Sequence, residues 1–444
     1  MSTRTTIVFG LGVTGLSCLR YLHGRDALTV VDTRDDPPNL DAAQRRWPDV
    51  RFVCGRIDPA VFEAADRVIV SPGVRLDHCL LDGARAKGVP LIGDIDLFCE
   101  AARAPVIAIT GTNGKSTATA LTGEIIAAAG IDVGVGGNLG IAALDLLTPA
   151  REAYVLELSS FQLERLSDGA FDVAVLMNVS PDHLDRYRDV DEYAASKRRI
   201  FRDARVAVFN RADARTRPPS SVTKRTSVAL DEPDEGAWGV RVVNGRRRLV
   251  HGSREVIASD ELGLRGRHNE LNVLTALAVT AASRIDAAAA GDVLRTFRGL
   301  PHRCQTVAER AGVTFIDDSK ATNLGAAIAA LEGLGDETRR HIVLIAGGDA
   351  KGADLAPLGE VVGRFARHVV VLGRDADKVE RAVTGAAAVT RVATMDDAVI
   401  EARRHAREGD VVLLSPACAS LDMFRNYEAR GRAFVEAVGR LSDP

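Results

Sequence analysis

The sequence predicts an α/β chain of three successive units with mostly parallel sheets. Strand-like apolar runs alternate with helix-period stretches from end to end, the pattern of repeated βαβ units. The length of 444 residues corresponds to about three domains at roughly 150 residues each. Glycine turns stand between a strand pattern and a helix pattern near residue 10 and again near residue 111, as in sheets that hold ligands at strand ends.

The elements follow in order. The first unit, residues 1–93, opens with a strand over 6–10, a glycine turn and a helix pattern. Further strands are read at 28–31, running into Asp32, and at 67–70, running into Ser71. A boundary is placed near Gly93, ahead of a helix-like stretch over 95–100. The second unit, residues 94–299, starts with a strand over 106–109. Strands at 154–158 and 173–177 follow, then a polar stretch over 218–259 suited to short antiparallel strands, then a long helix pattern over 269–282. The third unit, residues 300–444, has strands at 314–316, 342–346, 369–372 and 411–414 with helix patterns between them. Alanine-rich helix segments such as 285–290 are the only compositional bias of this kind.

Composition excludes several classes. Hydrophobic residues at 46% and charged residues at 26% are ordinary for a globular chain. Lys plus Arg total 57 against 60 acids, a net charge of −3, so no nucleic-acid partner is expected from bulk charge. No apolar run reaches the roughly 18 residues that cross a bilayer, and the N-terminus runs into a strand pattern without a signal-peptide layout. The six cysteines form no CxxC pair, which suits free thiols in a reducing cytoplasm. Only seven residues are lysine: 87, 115, 197, 224, 320, 351 and 378. Against so strong an arginine preference, a lysine inside a motif invites a chemical reason, since it is a compact charge and an amine.

Gly10-Leu-Gly12-Val13-Thr14-Gly15 is a GxGxxG turn, and Asp32 lies where dinucleotide enzymes place a ribose-binding acid. A plain tight turn and NAD binding are both open on these residues. Thr110-Gly111-Thr112-Asn113-Gly114-Lys115-Ser116-Thr117 is a shortened phosphate loop, with Ile109 where the usual pattern has glycine. Its backbone N–H groups suit phosphate oxygens, Lys115 the β/γ charge, and the Ser116 or Thr117 hydroxyl Mg²⁺. Glu157 and Asp182-His183 end or follow strands, where carboxylate and imidazole can serve a metal. Lys197, on helix periodicity alone, is an exposed cation. Asn269 and Asn272 share a helix face and suit either capping or base recognition. In the third unit, His302-Arg303, Asp317-Asp318-Ser319-Lys320-Ala321-Thr322-Asn323, Gly347 to Lys351, and Ser415 to Asp422 place polar and cationic residues mostly after strand ends, suited to an anionic substrate.

Together these motifs resemble the Mur ligase superfamily of ATP-dependent amide-forming enzymes, over all three units. The TGTNGKST loop marks the superfamily. The DDSKATN and SPACASLD stretches resemble the branch that joins D-glutamate to UDP-N-acetylmuramoyl-L-alanine. The resemblance implies a Rossmann-like first unit that binds UDP rather than NAD, a phosphate-loop ATPase-type central unit, and a Rossmann-like third unit. It implies UDP-substrate contacts at Val13, Thr14, Asp32, Thr33, Arg34, Ser71 and Asn138. ATP contacts fall at Gly111 to Thr117, Asn269, Asn272, Arg303 and Asp318. Glutamate contacts fall at Thr322, Lys351, Ser420 and Leu421. Lys115, His183 and Lys197 are implied as catalytic, and Ser116, Thr117, Glu157, His183 and Lys197 as ligands of two Mg²⁺ ions. Lys197 falls on the family's carbamylated lysine. A cytoplasmic monomer with hinges near 93 and 299 is expected. Cys304-Gln305 and Tyr427 depart from familiar family residues. A folylpolyglutamate-type ligase or another Mur ligase, an NAD oxidoreductase fused to a phosphate-loop module, and a nucleotide-binding regulator are the competing readings. A nicotinamide fluorescence titration separates the second from the ligase.

Overall fold

The computed structural model describes residues 4–441 apart from 168, 265, 286–289 and 337. Most of the alanine-rich stretch over 285–290 therefore lies outside the described residues. Three sheets follow one another along the chain.

The first sheet has five parallel strands: β1 (Thr5–Phe9), β2 (Ala27–Asp32), β3 (Arg51–Cys54), β4 (Arg67–Val70) and β5 (Leu91–Ile92), in the order β3-β2-β1-β4-β5. Strand order reverses between β1 and β4, which opens a crevice between the turns that follow them. Those turns touch: the Ser71 hydroxyl donates to the Gly10 carbonyl at 2.9 Å. A Cβ at Gly15 would lie 1.9 Å from the same carbonyl, so helix and turn pack this closely only with glycine there.

The second sheet has nine strands: β6 (Val106–Thr110), β7 (Val133–Gly137), β8 (Ala153–Glu157), β9 (Val173–Leu176), β10 (Val206–Asn210), β11 (Arg225–Val228), β12 (Trp238–Val243), β13 (Arg246–His251) and β14 (Arg254–Ala258). Their order is β14-β13-β12-β11-β10-β9-β6-β8-β7. Strands β6 to β11 run parallel, while β12, β13 and β14 form an antiparallel meander. The polar stretch over 218–259 thus becomes strands, as its composition allowed. Asn244 and Gly245 join β12 to β13 with φ of 50° and 76°, and positive φ at both positions matches the twist of a hairpin.

The third sheet holds β15 (Gln305–Arg310), β16 (Val313–Asp317), β17 (Ile342–Gly347), β18 (Ala366–Leu372), β19 (Ala388–Arg391) and β20 (Val411–Leu414), in the order β15-β16-β20-β17-β18-β19. Only β15 pairs antiparallel.

Helices cover both faces of the central sheet, so its middle strands read as unbroken apolar runs. Every residue of β9 is at most 1% exposed, and burying a large aliphatic side chain stabilises by about 1.5–3 kcal/mol. Side chains alternate between two cores. Ile107 and Ile109 pack with the helices Lys115–Ala128 and Arg267–Ala282. Ala108 and Leu156 face the other way and share one core with Val8, Leu19 and Ile69 of the first unit. Among the described residues no helix is long and apolar enough to cross a membrane, and all six cysteines are free thiols.

Candidate active site

The C-terminal ends of β6, β8 and β9 open on a cleft of about 570 Å³ between the central and third units. Its floor is the phosphate loop. Asn178, just beyond β9, holds that loop open: its side-chain oxygen accepts from the Thr112 and Asn113 amides at 3.1 and 2.8 Å, and its amide donates to the Asn113 carbonyl at 2.9 Å. Gly114 starts the helix Lys115–Ala128 at φ 80°, and a Cβ there would lie 2.3 Å from the Asn272 side-chain oxygen. Gly114→Ala is therefore expected to cost about 1–2 kcal/mol in backbone strain alone and to displace the Asn272 side chain. Scanning calorimetry checks this, and an unchanged melting temperature would contradict the packing.

Lys115 turns back over the loop and donates to the Thr112 carbonyl at 2.8 Å. Burial lowers its pKa, against the attraction of Glu157 and Asp182. The Ser116 hydroxyl bonds Glu157 Oε2 and also accepts from Arg303 Nη2 at 2.6 Å. Glu157 Oε1 accepts from the Asn138 amide at 2.6 Å. Burial alone would raise the Glu157 pKa, but Lys115, Ser116 and Asn138 hold it below the usual carboxylate range. Thr117 is buried beside Ser116 in the cleft wall.

Lys197, read as an exposed cation on periodicity alone, is 1% exposed. Its amine donates to the Gly111 carbonyl at 2.7 Å and lies 4.6 Å from the Tyr193 ring centre. Burial, reinforced by Lys115, pushes its pKa well below the ordinary value. His183 is held at φ 55° with its ring 4.8 Å from Phe161. Burial lowers its pKa too, with Asp182 opposing and Lys351 and Lys197 assisting.

Asn269 and Asn272 meet on one helix face, 2.9 Å apart through Asn272 Nδ2, and both line the cleft. Asp318 is buried, accepts from Ser415 at 2.8 Å and from the Cys304 amide at 3.1 Å, and is pushed up to about 7 by burial. Thr322 and Lys351 line the same cleft. Leu421 is 72% exposed, and neither it nor Ser420 is part of the wall. Ser420 follows Ala419, whose backbone pairs with Asp349, two residues before Lys351. Cys304 carries φ 47° beside Arg303, and the Tyr427 ring lies 4.0 Å from the Lys320 amine.

Val13, Thr14, Asp32, Thr33, Arg34 and Ser71 lie apart from this cleft, around the first-sheet crevice. Asp32 is already engaged there: it accepts from the Leu11 amide at 2.8 Å and from Arg34 Nε and Nη2 at 2.8 and 2.7 Å. Val13 is 71% exposed at the start of its helix.

Asp182 and Asn323, singled out only as members of their motifs, join the units. Asp182 accepts from Lys351 Nζ at 3.0 Å and from Asn323 Nδ2 at 3.1 Å, and Asn323 also meets Asn113 at 3.2 Å. Both stand inside stretches singled out by motif, which was the only available signal.

Three family models match in order: the Mur ligase MurD-like N-terminal domain over 4–93, the Mur ligase middle domain over 109–280, and the Mur ligase glutamate ligase domain over 302–418. The chain is 49% identical over 443 residues to the UDP-N-acetylmuramoylalanine–D-glutamate ligase of Pseudomonas putida, covering 99% of this chain and 98% of that one. It is 50% identical to the enzyme of that name from Pseudomonas aeruginosa, covering 98% of each chain. The crystal structure of UDP-N-acetylmuramate-alanine ligase from Thermotoga maritima shares the fold, with TM-score 0.60 at 18% identity over 98% of this chain and 99% of that one. The chain belongs to the Mur ligase family, in the branch of the UDP-N-acetylmuramoylalanine–D-glutamate ligases.

Proposed function

We propose that the chain uses ATP to join D-glutamate to UDP-N-acetylmuramoyl-L-alanine through an acyl phosphate, a step of peptidoglycan precursor synthesis. The observation that carries this reading is the shared cleft. Lys115 and the Glu157–Ser116 pair face Arg303, Thr322 and Lys351 of the third unit across it.

An oxygen of the alanyl carboxylate attacks the γ-phosphorus of ATP, and the bond to the bridging oxygen breaks to release ADP. Lys115 and Arg303 meet the charge that spreads over the phosphoryl oxygens. The glutamate amine then attacks the acyl carbon. The tetrahedral adduct collapses, its C–O bond to phosphate breaks, and the amine proton leaves. His183 is placed either to take that proton or to hold metal.

Residues 1–93 serve as the UDP-binding unit, with contacts from Val13, Thr14, Asp32, Thr33, Arg34 and Ser71, and Asn138 of the central unit meets the sugar-peptide part. Residues 94–299 serve as the ATP-binding unit, with Gly111 to Thr117, Asn269 and Asn272, assisted by Arg303 and Asp318. Residues 300–444 hold glutamate through Thr322, Lys351, Ser420 and Leu421. The protein works as a cytoplasmic monomer.

Among the described residues no three His, Cys, Asp or Glu side chains form a ready metal cage. Mg²⁺ does not need one, since it binds through one or two carboxylates with waters and phosphate oxygens. The buried Glu157 carboxylate beside the Ser116 hydroxyl is a donor set of that kind, and Thr117, His183 and a carbamylated Lys197 would complete two sites. Bound there, Mg²⁺ would supply Lewis-acid neutralisation of phosphate charge. The depressed pKa of Lys197 supports carbamylation because the neutral amine is the form that adds to CO₂. The N–C bond forms, one C=O electron pair moves to oxygen, and the amine loses a proton to water.

Substrate labelled with oxygen-18 in the alanyl carboxylate tests the acyl phosphate. One label is expected in the released phosphate. Phosphate free of label would overturn the mechanism.

A further inference from the structure

We infer that Arg165 and Arg186 are positioning residues that hold the first-sheet crevice at a fixed distance from the cleft, so that the two ends of the nucleotide substrate are in register. The inference rests on the function proposed above. Arg165 is among the largest fully buried side chains of the protein, with its guanidinium 0% exposed. It donates through Nη2 to the Val74 carbonyl of the first unit and through Nη1 to the Phe161 carbonyl of the central unit. Its Nε has no partner, and burial brings its pKa down to about 10. A buried and partly unsatisfied cation is costly to keep, and apolar packing would join the two units more cheaply. Directed hydrogen bonds to one loop are what an apolar side chain cannot supply.

That loop is the one that matters for the substrate. Residues 72–74 follow Ser71 directly, and a Cβ at Gly10 would lie 3.3 Å from the Val74 side chain. Arg186 grips the same loop, donating through Nη1 to the Pro72 carbonyl at 3.1 Å. Its guanidinium lies 4.1 Å over the Phe161 ring, which also meets the His183 ring at 4.8 Å and stacks on Tyr187 at 6.2 Å. A contiguous path thus runs from Pro72 through Arg186 and Phe161 to His183. Glu164 balances both cations, accepting from Arg186 Nη2 at 2.8 Å and Arg165 Nη1 at 3.3 Å. Gly93, at the junction of the units, leaves 3.0 Å for a Cβ against the Arg165 Cβ. Around this strut the first and central units share one core. The junction expected to hinge near residue 93 is therefore packed.

The test compares two substrates in the wild type, Arg165→Met, Arg186→Met and Arg186→Lys. One is the full UDP-N-acetylmuramoyl-L-alanine. The other is N-acetylmuramoyl-L-alanine 1-phosphate, which lacks the uridine half and gains nothing from the crevice. In both methionine variants kcat/KM for the full substrate is expected to fall at least about tenfold, mostly in KM, with less than about a twofold change for the truncated one. ATP affinity stays unchanged, and Arg186→Lys recovers part of the loss because an amine can reach one acceptor but not both. Equal losses on both substrates, or none on the full one, would overturn the inference. Should Arg165→Met fail to fold, the less buried Arg186 variants decide the matter. Absence of wild-type turnover on the full substrate would instead overturn the functional reading, and the inference with it.

Discussion

Lys115→Ala is expected to lower kcat by about 10²–10³, the usual cost of removing an electrostatic group that acts in the transition state. The ammonium sits at the start of a buried helix, bonded to the Thr112 carbonyl at 2.8 Å and drawn toward Glu157 and Asp182. Two other cations reach the loop, Lys197 at the Gly111 carbonyl and Arg303 at the Ser116 hydroxyl, and Lys115 is the one carried by the loop itself. Lys115→Arg is expected to fail as well, because a planar fork does not fit where a point charge is cradled by backbone. The fold should survive, since burial already disfavours the charged amine and alanine is a good helix former. Steady-state phosphate release alongside a melting curve checks both halves. Near-normal turnover would mean that the loop does not handle the transferred phosphoryl group.

The second large effect is at Lys197. Lys197→Met and Lys197→Arg are both expected to lose at least about 10² in turnover, as for other groups that organise charge at a reacting phosphoryl. Neither side chain can form a carbamate, and Arg retains the positive charge, so the pair separates carbamate chemistry from simple cation loss. Stability should move the other way. The folded-state pKa lies well below the ordinary 10.5, so between the depressed value and the ordinary one the unfolded chain binds more protons than the folded one. The wild type should therefore gain stability as pH rises between the depressed value and about 10.4, and lose it as pH falls through that window. Lys197→Met removes the cost, so in CO₂-free buffer it should melt above the wild type with a flatter pH profile. Labelled bicarbonate should give a carbamate carbon signal in the wild type and none in either variant. Full activity of Lys197→Arg would contradict the assignment.

What was legible in the sequence followed from local chemistry. Val106–Thr110, Val173–Leu176, Ile342–Gly347 and Val411–Leu414 are nearly continuous apolar runs because they lie in sheet interiors. Edge strands carry no such run. Arg51–Cys54 is at most half buried, and Gln305–Arg310 is polar because it pairs on one side only. Val133–Gly137 is rich in glycine because its neighbours crowd it, with a Cβ at Gly136 only 2.2 Å from the Ile141 carbonyl. The phosphate loop could be read directly, since its strand, turn and helix are contiguous. The Asp182–Lys351 and Asn113–Asn323 contacts span 169 and 210 residues, and no spacing rule reaches across two units. Lys197 shows the same limit. Helix periodicity points it outward, and only the carbonyl of Gly111 on a distant strand end explains why it is buried.

The most direct test of the central claim is phosphate release from ATP in the presence of UDP-N-acetylmuramoyl-L-alanine, with D-glutamate, with L-glutamate, or with neither. Release that depends on D-glutamate is the expected result. Release with L-glutamate alone would keep the chemistry and change the amino-acid assignment, and no release with either would contradict the account.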